Sequence, residues 1–230
     1  MSPHTGRHFH EDLARLRTRL LEMSSMAETL VERAMEALAE RDLEKAAAVV
    51  AGDRELDAVE LEIDEACLNL LALQQPMARD LRFITMAMKI SNDLERVGDH
   101  AVNIAQAVEH MAGQRRIARF PEIDEMASLA RSMLADALDH FMRSDADGAR
   151  EVCARDDRVD RLHESHFRIL LTHMMEDPRT IGGAMSMILV SKNLERIADL
   201  ATNIAEDVVF LVEGRSIKHG AGARDAGVGV

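Results

Sequence analysis

The sequence of 230 residues has no tryptophan or tyrosine, and it has only 6 phenylalanines, 4 prolines and 2 cysteines. So few prolines permit long helices, because a proline inside a helix removes a backbone hydrogen bond. Cys67 and Cys153 stand alone, without C-x-x-C spacing, so neither a disulfide framework nor a thiolate zinc site is predicted. We expect both to be small core residues.

Long apolar runs and positive charge are also lacking. No run reaches about 18 apolar residues, so no transmembrane helix is predicted, and the N-terminus lacks the apolar segment of a signal peptide. The formal net charge of −13 argues against direct binding to nucleic acid, which needs basic surfaces. Nucleophile–base pairs, nucleotide motifs and phosphate-cradling glycine loops are absent, so no enzyme activity is predicted.

The residues that are abundant favour helix, above all Ala, Leu, Glu, Met and Arg. Their periodicity predicts an all-α protein of six long helices in two tandem three-helix bundles of up-down order. We place the bundles at 8–112 and 121–214, and we expect disordered tails at 1–7 and 215–230. The predicted helices cover about 9–40, 42–73, 76–111, 122–142, 145–175 and 178–212.

The two bundles are internal repeats of one another. Residues 90–105 align with 190–205 without a gap, with 9 of 16 positions identical. Residues 42–57 align with 145–160, with 6 of 16 identical. Asp42 and Asp145 are predicted N-caps, whereas Pro76 and Pro178 are predicted to start the third helix of each half.

Pairs of acidic residues spaced by four recur in both halves. The third helix buries an apolar seam that starts at Ile90 and Leu94, and its acids lie off that seam. The second helix behaves alike, with a seam from Leu56 to Leu73. We therefore expect the acids on the outer surface of neighbouring helices. The repeated acids are Asp53, Asp57, Glu95 and Asp99 in the first half, and Asp156, Asp160, Glu195 and Asp199 in the second.

Spacing alone leaves two interpretations open, a cation site and a solvated acidic stripe. The series that starts at Glu28 and Glu32 also steps by four, but it is not repeated, so we assign it to solvent. Like charges at this spacing disfavour a helix by only about 0.2–0.5 kcal/mol, so one pair decides nothing, whereas duplicated pairs favour a site. All-oxygen ligands suit Mg²⁺, Mn²⁺, Ca²⁺ or iron. Asn103 and Asn203 are candidates for orienting the carboxylates.

The stretches "ISNDLERVGDHAVNIA" and "VSKNLERIADLATNIA" resemble the paired acidic signatures of the PhoU family, and "QQPMARDLRFI" resembles that family's turn into the third helix. The resemblance covers about residues 7–214. It implies two tandem three-helix bundles, usually dimeric, that carry multinuclear iron or zinc clusters. The eight repeated acids would then form two cluster sites, one in each half.

The resemblance further implies a cytoplasmic negative regulator of phosphate uptake and of the phosphate-starvation regulon. Such a protein acts at the inner membrane face as an adaptor between the ATPase subunit of the phosphate ABC transporter and a sensor histidine kinase. Two alternatives remain, an accessory regulator of another phosphate permease and a metal-free helical scaffold. A ferritin-like di-metal oxidase is disfavoured, because no histidine has Glu three positions before it.

Overall fold

The computed structural model describes residues 3–74, 76–115, 117 and 120–214. The all-α class is confirmed, and no strand occurs among these residues. A short 3₁₀ turn, Pro178–Thr180, precedes the last helix. The helices are α1 Pro3–Glu40, α2 Leu43–Gln74, α3 Ala78–His110, α4 Pro121–Arg143, α5 Ala146–Cys153, α6 Asp156–Glu176 and α7 Ile181–Glu213.

The ends of the chain and the start of α3 differ from the sequence expectation. α1 begins at Pro3, because proline suits a first helical turn, so most of the expected tail at 1–7 is helical. Residues 1–2 and 215–230 lie outside the described residues. Pro76 precedes α3 instead of starting it, since Met77 is extended and serves as the N-cap.

The second helix of the second half is divided at Ala154 and Arg155 into α5 and α6, whereas its counterpart α2 is continuous. Gly52 stands at the repeat position of Arg155, and a β carbon there would lie 3.0 Å from a methyl group of Leu30. Arg155 instead extends a long side chain that forms a 2.7 Å ion pair with Asp136 of α4. We attribute the divided helix to this replacement of a closely packed glycine.

The two bundles lie side by side and share a long contact. α3 packs against α7, and α1 packs against α4. Lys89 Nζ lies 2.5 Å from Asp207 Oδ1, and His100 Nδ1 lies 2.9 Å from Asn193 Oδ1. Because the residue numbers rise on α3 as they fall on α7, these two helices are antiparallel.

The predicted apolar seams form the core. Every seam residue of α3 and α7 is buried, from Ile90 to Val108 and from Val190 to Val208. Leu73 was predicted to belong to the α2 seam, and this is wrong: it is 74% exposed, because it lies in the last turn of α2. Cys67 is buried, Cys153 is half-buried, and both are free.

The turn between the first two helices is built alike in both halves. Arg41 and Ser144 both have φ of 55°, the left-handed conformation common after a helix C-terminus. Asp42 then accepts hydrogen bonds from the backbone N–H groups of Glu44 and Lys45 at 2.8 and 3.1 Å. Asp145 accepts one from Gly148 at 3.1 Å. The two predicted N-caps are confirmed.

The acidic series of α1 was assigned to solvent, and this is wrong for Glu28, which is half-buried, whereas Glu32, Glu36 and Glu40 are exposed. Glu28 accepts a 3.1 Å hydrogen bond from Ser24, and its partial burial raises the pKa of its carboxyl group. Glu32 forms a 3.1 Å ion pair with Arg131 of α4. These side chains lie where α1 packs on α4, so they help to join the two halves.

Membrane-spanning segments were not expected. Among the described residues, no helix combines the length and the apolarity that crossing a bilayer requires.

His166 is the one histidine that is fully buried among the described residues. It lies on α6 beside the ring of Phe120, with the ring centroids 5.7 Å apart. Neither ring nitrogen has a hydrogen-bond partner in the described structure. Burial lowers the pKa of His166 to about 4, and Glu122 offsets this only in part. Ile63 holds the equivalent position of α2.

We predict that His166→Ile makes the protein less sensitive to acid. The folded-state pKa lies below the ordinary value of 6.5, so the unfolded chain binds more protons at pH 5 and the wild type loses stability as the pH falls. The difference in free energy of unfolding between the variant and the wild type should shift in favour of the variant by about 2 kcal/mol as the pH falls from 7.5 to 5. Urea unfolding at both pH values measures it.

The control is His110→Gln, which removes an exposed histidine from the end of α3. A stability difference between His166→Ile and wild type that stays constant across the pH range contradicts the prediction.

Candidate metal centre

The repeated acids gather on two antiparallel helix pairs. The first cluster lies on α2 and α3 and the second on α6 and α7, and each of their side chains is half-buried or exposed. The structure adds Glu60 to the first cluster, because its charge acts on Glu95. The first cluster is therefore Asp53, Asp57, Glu60, Glu95 and Asp99, and the second cluster is Asp156, Asp160, Glu195 and Asp199.

The carboxylates of the first cluster lie close enough to repel one another. Burial, followed by the charges of Asp57 and Asp99, raises the pKa of Asp53 to about 6. Burial also raises the pKa of Glu95, with Asp99 and Glu60 as the next largest causes. A group of like charges on a protein surface favours a cation between them.

Gly98 makes room for the first cluster. A β carbon at this position would lie 2.4 Å from Asp53 Oδ1 and 2.5 Å from a methyl group of Leu56, so no larger residue fits without movement. Asp53 Oδ1 is buried against the α3 backbone and has no hydrogen-bond partner among the described residues. A buried acceptor without a donor is costly, and a cation would satisfy it.

The second cluster shows the same repulsion. Burial raises the pKa of Asp156 to about 6, and Asp199 and Asp160 add to the shift. Burial raises the pKa of Asp199 as well, with Glu195 as the next cause. Here, however, two of the acids have cationic partners. Lys192 forms an ion pair with Glu195, although Glu195 Oε2, like Asp53 Oδ1, makes no hydrogen bond in the described structure. Arg196 Nη1 lies 3.1 Å from Asp199 Oδ2.

Two other sequence candidates and one missed residue complete the description. Asn103 is exposed and Asn203 is half-buried, and within the described structure neither donates a hydrogen bond to a cluster carboxylate, so their orienting role stays a prediction. Glu60 was missed as a site residue because its repeat counterpart is His163, and repetition was the criterion. Its spacing from Asp57 along the same face of α2 was the available signal.

The donor set suits a hard or borderline cation in chemistry and charge. No three of the described His, Cys, Asp and Glu side chains converge on one point as metal ligands would. The first cluster nevertheless has a buried oxygen, Asp53 Oδ1, without a hydrogen-bond partner among the described residues, and this oxygen packs where a β carbon at Gly98 would lie. The first cluster therefore fits a metal ion.

We predict that Asp53→Asn stabilises the metal-free protein at pH 7.5. The raised pKa means that the folded state binds more protons than the unfolded chain between about pH 4 and pH 6, so the ionised carboxylate costs stability above this range. Partial exposure limits the gain to about 1 kcal/mol. Urea unfolding with a chelator measures it, with the exposed Glu55→Gln on the same helix as control. A destabilised Asp53→Asn protein would show that the carboxylate is already satisfied.

The fold and the acidic clusters can be set beside known proteins. The PhoU domain model matches residues 20–108 and again 123–208. A PhoU homolog of the phosphate-specific transport system from Caulobacter vibrioides is 43% identical, with 94% of this chain and 95% of that protein covered. A counterpart from Clostridium acetobutylicum is 39% identical, with 93% and 98% covered.

Solved structures agree. PhoU from Pseudomonas aeruginosa superposes with a TM-score of 0.85 at 39% identity, with 90% of this chain and 100% of that chain covered. The phosphate transport system regulatory protein PhoU from Streptococcus pneumoniae gives a TM-score of 0.84 at 30% identity, with 90% and 98% covered. With both repeats matched by the domain model and the fold shared over nine tenths of its length, the chain belongs to the PhoU family.

Proposed function

We propose that this chain is a cytoplasmic regulatory accessory protein of phosphate-specific transport and that it has no catalytic role. Its relatives from Caulobacter vibrioides and Clostridium acetobutylicum are named accessory proteins of the phosphate-specific transport system. The chain spans nearly the full length of both. Its candidate site consists of carboxylates beside one another, without a nucleophile and base arranged for catalysis, which suits binding better than chemistry.

Metal binding is the second part of the proposal. The acidic helix faces hold multinuclear clusters of iron or zinc, while Mg²⁺, Mn²⁺ or Ca²⁺ would suit the same oxygens. The observation that carries this part is the duplicated set of mutually repelling carboxylates. In the first cluster, Asp53 Oδ1 also lies beside Gly98 and has no hydrogen-bond partner among the described residues. A bound metal would neutralise the repulsion and would offer positions to exchangeable ligands.

The regulatory role follows from this change of charge. An acidic face on a chain of net charge −13 repels phosphate and other anions. A face covered by metal instead binds anions or the carboxylates of a partner protein. A homodimer of the protein, peripheral to the membrane through its partners, would connect the ATPase subunit of the transporter to the sensor kinase and hold the kinase in its signalling-off state when phosphate is ample.

Deletion of the gene tests the regulatory part. We expect the phosphate-starvation regulon to be expressed in high phosphate, because the kinase would no longer be held off. Reporter transcription from a regulon promoter measures it, with the wild-type gene supplied in trans as control. Normal repression in the deletion strain would contradict the role as negative regulator.

The variant Asp99→Ala with Asp199→Ala tests the metal part. We expect loss of bound metal in elemental analysis with little change in helicity, because neither side chain belongs to the apolar core. Circular dichroism checks the fold. The matched control, Glu55→Ala with Glu151→Ala, removes two exposed acids outside the clusters. Equal metal content in the two double variants would count against these ligands.

A further inference from the structure

The two halves differ at the start of α3 and α7. The first half has Arg82 and Phe83 where the second half has Gly182 and Gly183. In the second half, the joining segment between α3 and α4 passes over these glycines. A β carbon at Gly183 would lie 2.9 Å from Ile117 Cδ1, so a larger residue would displace the segment.

Charge also holds the joining segment on the second half. Arg115 Nη1 of this segment lies 3.2 Å from Asp177 Oδ2, shortly before α7. Gln114 Oε1 lies 2.8 Å from the position that a β carbon at Gly182 would take. The second half therefore receives a non-helical segment that carries a cation, at a surface that carries an acid.

The equivalent surface of the first half carries three arginines instead. Arg17 is exposed and lies over the ring of Phe83, 4.6 Å from its centroid. Arg79 is exposed, and its Nη2 donates a 3.1 Å hydrogen bond to Ser144 Oγ. Arg82 is half-buried, and its Nε has no hydrogen-bond partner in the described structure. We call Arg17, Arg79 and Arg82 the arginine surface.

Within the described part of the chain, no carboxylate forms an ion pair with the arginine surface, although the net charge is −13. Asp80 lies on α3 between two of these arginines and pairs with neither. The neighbouring arginines do have carboxylate partners, since Arg143 pairs with Asp139 and Arg150 pairs with Glu213. The positive charge of the arginine surface is therefore not neutralised by the described acids.

Contacts with uncharged groups hold the arginines without removing their charge. Arg79 reaches Ser144 at the end of α4, and Arg82 Nη1 lies 3.3 Å from the position of a β carbon at Gly214, at the end of α7. Helix C-termini attract cations in this way. A guanidinium group has five N–H donors, so donors remain for a carboxylate ligand.

We propose that the arginine surface is the docking site for an acidic, extended segment of a partner protein. The joining segment is the precedent, because a non-helical stretch of chain already occupies the equivalent place in the second half. The charge of the first half selects an acidic segment, since carboxylates accept paired hydrogen bonds from guanidinium groups. A flat anionic membrane would also meet the surrounding acids, whereas a narrow segment contacts the arginines alone.

This docking site is separate from the acidic clusters. Glu95 lies 13 residues beyond Arg82 on α3, which corresponds to about 20 Å along the helix. The inference therefore goes beyond the proposed function and does not depend on metal binding.

Fluorescence anisotropy tests the docking, with a fluorescein-labelled peptide of alternating Glu and Gly as the probe. A chelator prevents metal from attracting the peptide to the acidic clusters. The full-length protein should bind the peptide at low ionic strength, and the affinity should fall as salt is added. Arg17→Gln with Arg79→Gln and Arg82→Gln should weaken binding by about tenfold.

The matched control is Arg33→Gln with Arg54→Gln and Arg161→Gln, which removes the same charge from α1, α2 and α6. These three arginines are exposed, and they stand on three different helices, so binding should change by about twofold at most. Circular dichroism verifies the fold of each variant. Arg79→Glu alone reverses the charge of an exposed side chain, so it tests the surface if the first triple variant does not fold.

Equal losses in the two triple variants would show a response to overall charge alone and would overturn the inference. Absence of peptide binding to the wild type would also overturn it. Binding to vesicles of phosphatidylserine and phosphatidylcholine that is lost in the first triple variant, while peptide binding persists, would assign the surface to a membrane instead. Each of these results would leave the proposed accessory function and metal binding untouched, because gene deletion and elemental analysis test those separately.

Discussion

Burial of the apolar seams of α3 and α7 is the constraint on which the rest of the structure depends. These two helices belong to different bundles, yet each packs on its own bundle and on the other, so nearly every third or fourth residue is fully buried. Once the seam is fixed, the rotation of each helix about its axis is fixed as well. This rotation places the acids of α3 at the edge that faces α2, and the acids of α7 at the edge that faces α6. There they lie beside the acids of the neighbouring helix.

This arrangement places like charges together at a cost in stability. The pKa values of Asp53 and Asp156 rise to about 6 because burial and neighbouring acids disfavour their ionised forms. A fold selected only for stability would replace one acid of each pair by a neutral residue. Functional sites commonly contain such unfavourable groupings of like charges. Here the grouping occurs at the same place in both repeats.

Much of this could be predicted from the sequence, because seams, caps and repeats are local or periodic signals. The buried faces of α3 and α7 and the caps at Asp42 and Asp145 follow from such signals. The break between α5 and α6 could not be predicted, since the sequence does not show that Gly52, the counterpart of Arg155, packs closely against a neighbouring helix. The prediction that Leu73 is buried was wrong because periodicity does not show where a neighbouring helix stops covering the residues of α2.

The composition of the first acidic cluster was predicted only in part, and its role as a metal site stays a prediction. Repetition identified eight carboxylates but excluded Glu60, whose counterpart His163 is not acidic. It gave no means of telling the clusters apart, because the partner of Arg96 or Arg196 is decided by a neighbouring side chain that is acidic in one half and neutral in the other. The ion pair of Glu32 could not be predicted, because its partner Arg131 lies in the other bundle, about a hundred positions away.

The two polar contacts described between α3 and α7 are not repeated at the equivalent positions of the other half. Lys89 meets Asp207, but the equivalent positions are occupied by Leu189 and Ala107, which cannot pair in that way. His100 meets Asn193, whereas the reciprocal residues are Leu200 and Asp93. Two copies of either half joined in tandem would lack the pair of Lys89 and Asp207, so neither half can be replaced by its own duplicate without loss of this contact.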